Sequence, residues 1–207
     1  MEDCGEHPDM AQKLVFLETF GCQMNDNDSL RMLSILKGIR YSRTGEPEKA
    51  DLIIINTCSV RDKAEHKVYS TIGKFKSLKK DKPGLIIGVG GCVAQQEGER
   101  LLKRSPYLDI VFGPQNIHKL KDMLSEASVG KKKIVAIAQS GSIADDEYEY
   151  GHIPSNSGER ASVSIMRGCD NFCSYCIVPY VRGREVSRPM ADVLAEVKGL
   201  IEQGVPD

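Results

Sequence analysis

Three cysteines share one short stretch of the chain, which reads Gly168-Cys-Asp-Asn-Phe-Cys-Ser-Tyr-Cys176. Cys169, Cys173 and Cys176 therefore follow the pattern C-x3-C-x2-C. Three thiolates in one loop can bind a metal centre from one side. A tetrahedral zinc ion would want a fourth ligand, whereas an iron–sulfur cluster held by three thiolates keeps one iron open for a substrate. The pattern favours the cluster over a structural zinc knuckle, although spacing alone does not exclude zinc.

A second set of three cysteines is spread along the first half of the chain. Cys22, Cys58 and Cys92 each come just after an apolar run, and each has small or turn-prone neighbours. If those runs are parallel strands, the three thiols lie at one edge of the sheet and can converge on a common ligand. We therefore predict a second three-thiolate cluster there; the alternative is three separate buried core cysteines. Cys4 has no such setting and is expected to be an incidental thiol.

The elements that must position these cysteines alternate between strand and helix. The predicted strands cover 14–17, 52–55, 85–89 and 109–112, and the predicted helices cover 30–39, 64–78, 95–104 and 117–127. Asn25 to Asp28 are expected to cap the first helix. Strands that alternate with helices predict an α/β fold, an open parallel sheet flanked by helices.

The remaining chain divides by composition. Residues 1–12 are expected to form a mobile tail, 13–139 the α/β domain, and 140–160 an exposed linker rich in Gly, Ser, Asp, Glu and Pro. Residues 161–207 then begin a second module, with a strand at 161–166, the cysteine loop, and a helix that starts near Pro189.

Bulk properties narrow the classes of function. The 207 residues carry a formal net charge of −1, so any contact with nucleic acid must come from local basic patches. The sequence has no apolar run long enough to span a membrane. Its polar, acidic start resembles neither a signal peptide nor a transit peptide. We expect a cytoplasmic protein whose thiols are reduced.

The cysteine motifs together resemble those of a known family, the radical S-adenosylmethionine (SAM) methylthiotransferases. The matching stretches are Gly21-Cys-Gln-Met-Asn25, Asn56-Thr-Cys-Ser-Val-Arg-Asp-Lys-Ala64, Gly90-Gly-Cys-Val-Ala-Gln95 and the region 167–189. Gln23-Met24-Asn25 resembles the residues found after the first cysteine in the branch that acts on N6-dimethylallyladenosine in tRNA. The branches that act on threonylcarbamoyladenosine tRNA or on ribosomal protein S12 remain alternatives.

The resemblance implies an enzyme with two 4Fe-4S clusters. Cys169, Cys173 and Cys176 would hold the cluster that binds and cleaves SAM, with Tyr175 beside the adenine. The auxiliary cluster, which carries the sulfur to be transferred, would be held by Cys22, Cys58 and Cys92. The implied reaction is methylthiolation at C2 of a prenylated adenosine next to the anticodon. The implied partners are that tRNA and an electron donor, and the protein is expected to be a monomer.

The resemblance also sets a limit. Family members continue through a full radical-SAM barrel and usually a small RNA-binding β domain, and neither follows Asp207. The residues after 161 are therefore expected to be the first βα unit of a truncated barrel, and the chain by itself is expected to be inactive. A non-catalytic metal-binding or interaction fragment is the alternative from another functional class.

Two groups of basic residues have open interpretations. The lysines between Lys74 and Lys82 are interpreted as a solvated helix end. Arg182, Arg184 and Arg188 follow the cysteine loop; they could contact tRNA phosphates, or pair with Glu185 and solvent.

Overall fold

The computed structural model describes residues 12–59, 64–130, 132–139 and 161–205. The strands are β1 Lys13–Thr19, β2 Tyr41–Arg43, β3 Leu52–Thr57, β4 Ile86–Gly91, β5 Ile110–Phe112, β6 Ile134–Ala136, β7 Met166–Arg167 and β8 Val186–Ser187. The α-helices are α1 Gln23–Gly38, α2 Ala64–Lys74, α3 Lys76–Asp81, α4 Cys92–Glu97, α5 Glu99–Arg104, α6 Leu120–Gly130, α7 Val178–Arg182 and α8 Met190–Glu202. Short 3-10 helices cover Pro47–Lys49 and Pro114–Lys119. The predicted linker and nearly all of the predicted tail lie outside the described residues.

Six parallel strands form the main sheet, in the order β2-β1-β3-β4-β5-β6. Its central strands are continuous apolar runs because helices cover both faces. Along β3, Leu52 and Ile54 enter one core, with α1 and α6, while Ile53 and Ile55 enter the other. The predicted α/β fold with a parallel sheet flanked by helices is confirmed.

The strand order reverses between β1 and β3, because β2 pairs on one side of β1 and β3 on the other. Such a switch point leaves a crevice outside the carboxyl ends of the two strands, and ligands bind there in open α/β sheets. Strand β2 could not be predicted from the sequence, since Tyr-Ser-Arg has a single apolar side chain, that of Tyr41, which is buried.

Several predicted helices are divided. The helix predicted over 64–78 breaks at Phe75 into α2 and α3. The helix predicted over 95–104 begins earlier, at Cys92, and breaks at Gly98, whose φ of +49° suits glycine. Periodicity did not reveal these breaks, because the apolar stripe continues across each of them.

The second module differs in detail from its prediction. The strand expected at 161–166 is reduced to β7, which pairs antiparallel with β8. The helix near Pro189 is present as α8, and α7 was not predicted. The barrel unit itself stays a prediction.

Part of the lysine cluster is not a solvated face. Lys79 and Lys82 form ion pairs of 2.7 Å with Asp109 and Asp51, respectively. Each aspartate also accepts a backbone N–H of a neighbouring strand, Ile87 for Asp109 and Leu14 for Asp51. These lysines therefore fix the amino edge of the sheet, opposite the cysteines. No helix among the described residues is long and apolar enough to cross a membrane.

Candidate functional site

The three separated cysteines all lie at the carboxyl edge of the main sheet. Cys22 is the N-cap of α1 after β1, Cys58 follows β3, and Cys92 is the first residue of α4 after β4. Since β1, β3 and β4 are neighbours, the thiols flank the switch point and the strand beside it. Cys58 and Cys92 are buried, and Cys22 is exposed. The fold thus gives the three thiols a common edge, and their role as ligands stays a prediction.

Two glycines permit the close approach of the cysteine segments. Gly21 has a φ of +133°, and a Cβ there would lie 2.9 Å from the Cys58 sulfur. Gly91 has a φ of +94°, and a Cβ there would lie 2.2 Å from the Thr57 carbonyl oxygen. Any other residue would clash at either place and adopt a strained backbone. These glycines bring the chain around the three cysteines into direct contact.

A buried network of amides fixes the same edge. Asn25 donates from Nδ2 to the Thr57 carbonyl at 2.8 Å and to Asn56 Oδ1 at 3.1 Å. Asn56 donates in return to the Asn25 carbonyl at 2.8 Å and to Ser29 Oγ at 2.9 Å. Both asparagines are fully buried, so each bond replaces contact with water. The network holds the start of α1 against the end of β3, and so sets Cys22 relative to Cys58.

The predicted helix caps at Asn25 to Asp28 are therefore wrong. Helix α1 begins at Gln23 with Cys22 as its N-cap, and that cap makes no side-chain hydrogen bond. Asn25 and Asp28 lie inside the helix and point to the crevice between the strands, where their polar groups are paired.

Arg182 crosses from α7 to this edge of the sheet. Its Nη2 donates to Asp28 Oδ2 at 2.8 Å and lies 3.4 Å from Asn25 Oδ1. Its side chain is 10% exposed and that of Asp28 is 6% exposed. Arg182 is thus a buried partner of the sheet domain rather than a surface group, which excludes both interpretations weighed from the sequence.

The other two arginines of that group also have partners. The side chain of Arg188 is buried and forms an ion pair of 2.5 Å with Glu196 of α8. Arg184 is exposed, and its Nη1 lies 3.6 Å from Asp170 of the cysteine loop. Of the three, Arg184 alone stands at the surface, where it could meet a phosphate.

The electrostatic environment of Cys92 combines opposing effects. Burial raises the pKa of the Cys92 thiol, and the charges of Asp28 and Cys58 raise it further, while Arg182 acts to lower it. For Arg182, burial alone would lower the pKa, but the Asp28 carboxylate and Cys92 prevail and raise it. The guanidinium therefore stays charged beside the thiols.

The C-x3-C-x2-C loop is shaped by its own short-range contacts. Gly168 has a φ of +70°, and a Cβ there would lie 1.9 Å from the Arg184 carbonyl oxygen. The Cys169 N–H donates to the Gly183 carbonyl, and the Cys176 N–H to the Cys173 carbonyl. Cys173 is exposed, whereas Cys169 and Cys176 are partly buried. The loop thus presents its cysteines near the surface.

Aromatic residues border this loop. The Phe172 ring packs edge-on against Tyr180 with centroids 5.8 Å apart, and the Arg184 guanidinium lies 4.8 Å from the Phe172 centroid. Tyr175, expected beside the adenine of SAM, is 90% exposed. Its ring is therefore accessible to a ligand, and its role stays a prediction.

The donor set at the sheet edge suits a cluster. Among the described residues, no group of three or more His, Cys, Asp and Glu side chains is placed to hold a metal ion. Thiolates around one zinc ion must converge to about 2.3 Å from it, whereas a 4Fe-4S cluster gives each thiolate its own iron. Thiolates would also bring negative charge to this edge, where the Arg182 guanidinium is buried. Three sulfur donors beside a buried cation would suit a cluster, and the assignment of these cysteines as ligands stays a prediction.

The main sheet, its flanking helices and the three cysteines at its carboxyl edge together define a parallel α/β domain. Residues 14–113 match the family described as "Uncharacterized protein family UPF0004". The match runs from β1 to the end of β5 and includes Cys22, Cys58 and Cys92. This region of the chain is therefore similar to that family.

Similarity to named proteins extends over nearly the whole chain. The tRNA-2-methylthio-N(6)-dimethylallyladenosine synthase of Geotalea uraniireducens is 53% identical over 199 residues, which covers 95% of this chain and 44% of the relative. The synthases of Citrifermentans bemidjiense and Aeromonas salmonicida are each 50% identical, and the matches cover 94% and 95% of this chain. The chain spans 44% and 40% of those relatives. The resemblance predicted from the motifs is confirmed.

Sequence reasoning found the cysteines but missed the residues that hold them. The sequence showed these residues only as parts of motifs, as helix caps or as surface charges; they are Asn25, Asp28, Asn56 and Arg182. One available signal was that polar residues directly follow buried strands, as Asn56 does, since polar groups there must find partners inside the fold. Nothing in the sequence links Arg182 to Asp28.

Proposed function

We propose that this protein takes part in the methylthiolation of tRNA, at C2 of an N6-dimethylallyladenosine next to the anticodon. The placement of Cys22, Cys58 and Cys92 at one edge of the sheet carries the proposal. The names of the relatives support the reaction and the substrate. In this proposal the protein is an enzyme of the radical-SAM class that acts in the cytoplasm as a monomer, with an electron donor as its further partner.

The two cysteine sets have separate tasks in the proposal. Cys169, Cys173 and Cys176 hold a 4Fe-4S cluster and leave one iron to SAM, with Tyr175 free to lie beside the adenine. The second set holds the auxiliary 4Fe-4S cluster and is the one made of Cys22, Cys58 and Cys92. When bound, the first cluster supplies the electron that cleaves SAM, and the second supplies sulfur.

The protein's own side chains contribute geometry and shielding. The amide pair Asn25 and Asn56 fixes the spacing of the sheet-edge cysteines. Burial of Cys58 and Cys92 keeps water from those thiols, while exposed Cys22 leaves one side of the edge open. The loop cysteines, by contrast, rely on backbone contacts within 168–185. Different contacts thus position each set, so the loss of one cluster without the other can be tested.

The test is to reconstitute the protein with iron and sulfide without oxygen and to count both elements. We expect two clusters in the parent protein and one in each of Cys58→Ala and Cys173→Ala. Cys173→Ala should abolish the formation of 5′-deoxyadenosine from SAM. Cys58→Ala should retain it wherever the parent shows it, and should lose sulfur insertion into prenylated tRNA, read by mass spectrometry of nucleosides.

The control is Cys4→Ala, which removes the one cysteine assigned to neither set. It should leave iron, sulfide and 5′-deoxyadenosine at the parent level. Zinc without sulfide in the parent would contradict the proposal and favour the metal-binding module. Full iron content in Cys58→Ala would contradict the assignment of the second set.

A further inference from the structure

Arg182 is a permanent charge inserted into the sheet domain by a distant part of the chain. Its Nη2 donates to Asp28 Oδ2 at 2.8 Å, and its carbonyl accepts the Gln115 side chain at 2.9 Å. The adjacent Gly183 has a φ of +78°, and a Cβ there would lie 2.2 Å from Gln115 Nε2. Backbone and side chain are therefore both anchored, so the guanidinium has one fixed position.

That position is beside the sulfur atoms of the sheet edge. Asn25 Oδ1 lies 3.4 Å from Arg182 Nη2 and also 3.4 Å from Cys22 Sγ, so the arginine and the thiol share one acceptor. Helix α7, which carries Arg182, packs directly against α4, which begins at Cys92. Arg182 thus lies beside the segments that carry two of the three predicted ligands, Cys22 and Cys92.

We infer that Arg182 is a positioning residue of the auxiliary centre, which holds a fixed positive charge against its sulfur ligands and raises its reduction potential. The inference rests on the proposed function, because it takes Cys22, Cys58 and Cys92 as the ligands. Reduction adds an electron to the cluster, and a nearby buried cation stabilises the more negative state. Charge and hydrogen bonds to sulfur are among the factors that set such potentials.

The neighbouring carboxylate of Asp28 allows a test of this inference by the direction in which the reduction potential shifts. Asp28 is buried beside Arg182, with its Oδ2 at 2.8 Å from Arg182 Nη2, so its negative charge lies at the same edge of the sheet. Loss of the cation should lower the reduction potential, and loss of the anion should raise it. A purely structural role for the pair predicts no such opposition, since breaking the pair from either side would disturb the same packing.

The experiment uses the full chain with Cys169, Cys173 and Cys176 replaced by Ala, so that only the sheet-edge cluster can form. After reconstitution, a redox titration followed by electron paramagnetic resonance gives the midpoint potential. We expect Arg182→Gln to lower it, Asp28→Asn to raise it, and Arg182→Lys to stay near the parent. Arg184→Gln is the matched control, because Arg184 is exposed and pairs with Asp170 of the loop; it should cause no shift.

Each outcome separates the inference from the proposed function. If the protein without the three loop cysteines binds no iron and sulfide, the assignment of the sheet-edge ligands fails, and the inference fails with it. If the cluster forms but Arg182→Gln and Asp28→Asn shift the potential in the same direction, or not at all, the inference alone is overturned. Should Arg182→Gln lose its cluster, the decision rests on the other variants: a raised potential in Asp28→Asn with a parental one in Arg182→Lys supports the inference, and any other pair of values overturns it.

Discussion

Arg182 and Asp28 form the kind of ion pair whose disruption is costly. Both side chains are largely removed from water, so each charge depends on the other for compensation. Removing one partner of such a pair leaves an unpaired buried charge, which typically costs about 3–5 kcal/mol. Replacing both partners by neutral groups costs much less, because no charge remains to be compensated.

The first prediction at this scale concerns the metal-free protein. Arg182→Met should lower the free energy of unfolding by about 3–5 kcal/mol, and adding Asp28→Asn should recover most of the loss. Urea denaturation followed by circular dichroism measures both values. Equal stability of the single and double variants would contradict a compensated buried pair, since removal of the second charge would then bring no recovery.

Replacement of a single glycine beside the cysteines should also be costly to stability. At Gly91 an added methyl group would overlap the Thr57 carbonyl oxygen and Asn56 Oδ1, while the backbone has a φ that side chains disfavour. Both effects act on the one residue that precedes Cys92, so stability and ligand placement are tied together there.

At the scale of elements, the amide network between α1 and β3 separates stability from site geometry. Asn56→Ala removes three hydrogen bonds and leaves the Asn25 side chain partly unpaired. We expect it to cost about 2–4 kcal/mol, from the price of unsatisfied buried polar groups, and to reduce iron bound by the sheet-edge set.

The matched control for that variant is Asn116→Ala. Asn116 is also buried, and its Nδ2 donates to the Ala138 carbonyl at 3.1 Å, in a segment that carries no cysteine. It should lower stability while leaving iron content at the parent level. Equal loss of iron in the two variants would mean that iron binding reports only general stability.

The amino edge of the sheet gives a prediction about pH. Burial alone would raise the pKa of Asp51, but the hydrogen bonds from Lys82 and Leu14 and the charges of Lys82 and Lys13 prevail and lower it. A carboxyl whose pKa is lower in the folded state stabilises the fold above its unfolded value of about 3.9. That stabilisation is lost as the pH falls through the folded value.

Asp51→Asn should therefore unfold more easily than the parent at pH 7, by about 1 kcal/mol because the pair is partly exposed. The difference should close as the pH falls below about 4, because the stabilisation is lost on protonation of the folded-state carboxylate. Urea unfolding across this range measures it. Glu46→Gln breaks the exposed pair with Lys49 and serves as control; a pH-dependent gap of the same size there would contradict a specific role for Asp51.

Physical reasons explain which elements could be predicted from the sequence. Strands β3 and β4 are continuous apolar runs, and a run of that kind bounded by turn residues has few other solutions. Strand β2 and helix α7 are short and mostly polar or mixed, so only their tertiary contacts make them regular. The cysteines were predictable because βα units place strand ends at one edge. Arg182 was not, because its partner Asp28 lies 154 residues away in sequence.

At the scale of the whole molecule, α7 joins the loop-bearing segment to the sheet domain. Its Arg182 reaches Asp28, its last carbonyl accepts Gln115, and the Tyr180 carbonyl accepts Gln139. The segment that carries the C-x3-C-x2-C loop is thus docked against the carboxyl edge.

Hydrogen exchange tests this docking. In Arg182→Met, amides of 23–29 and of 178–182 should exchange faster together, because each segment loses the same partner. Amides of β4, which is buried along its length and bonded on both sides, should keep their protection. Faster exchange in 178–182 alone would show that the sheet edge does not depend on α7.

The distance between Arg182 and Asp28 along the chain also has a consequence for synthesis on the ribosome. The 154 residues that separate them take on the order of ten seconds to translate. During that interval the emerging sheet domain has its three cysteines but lacks the cation that balances Asp28. The sheet edge is complete only after residue 182 has left the exit tunnel, so we expect stalled nascent chains that expose residues up to 139 to capture less iron than chains that expose residue 182.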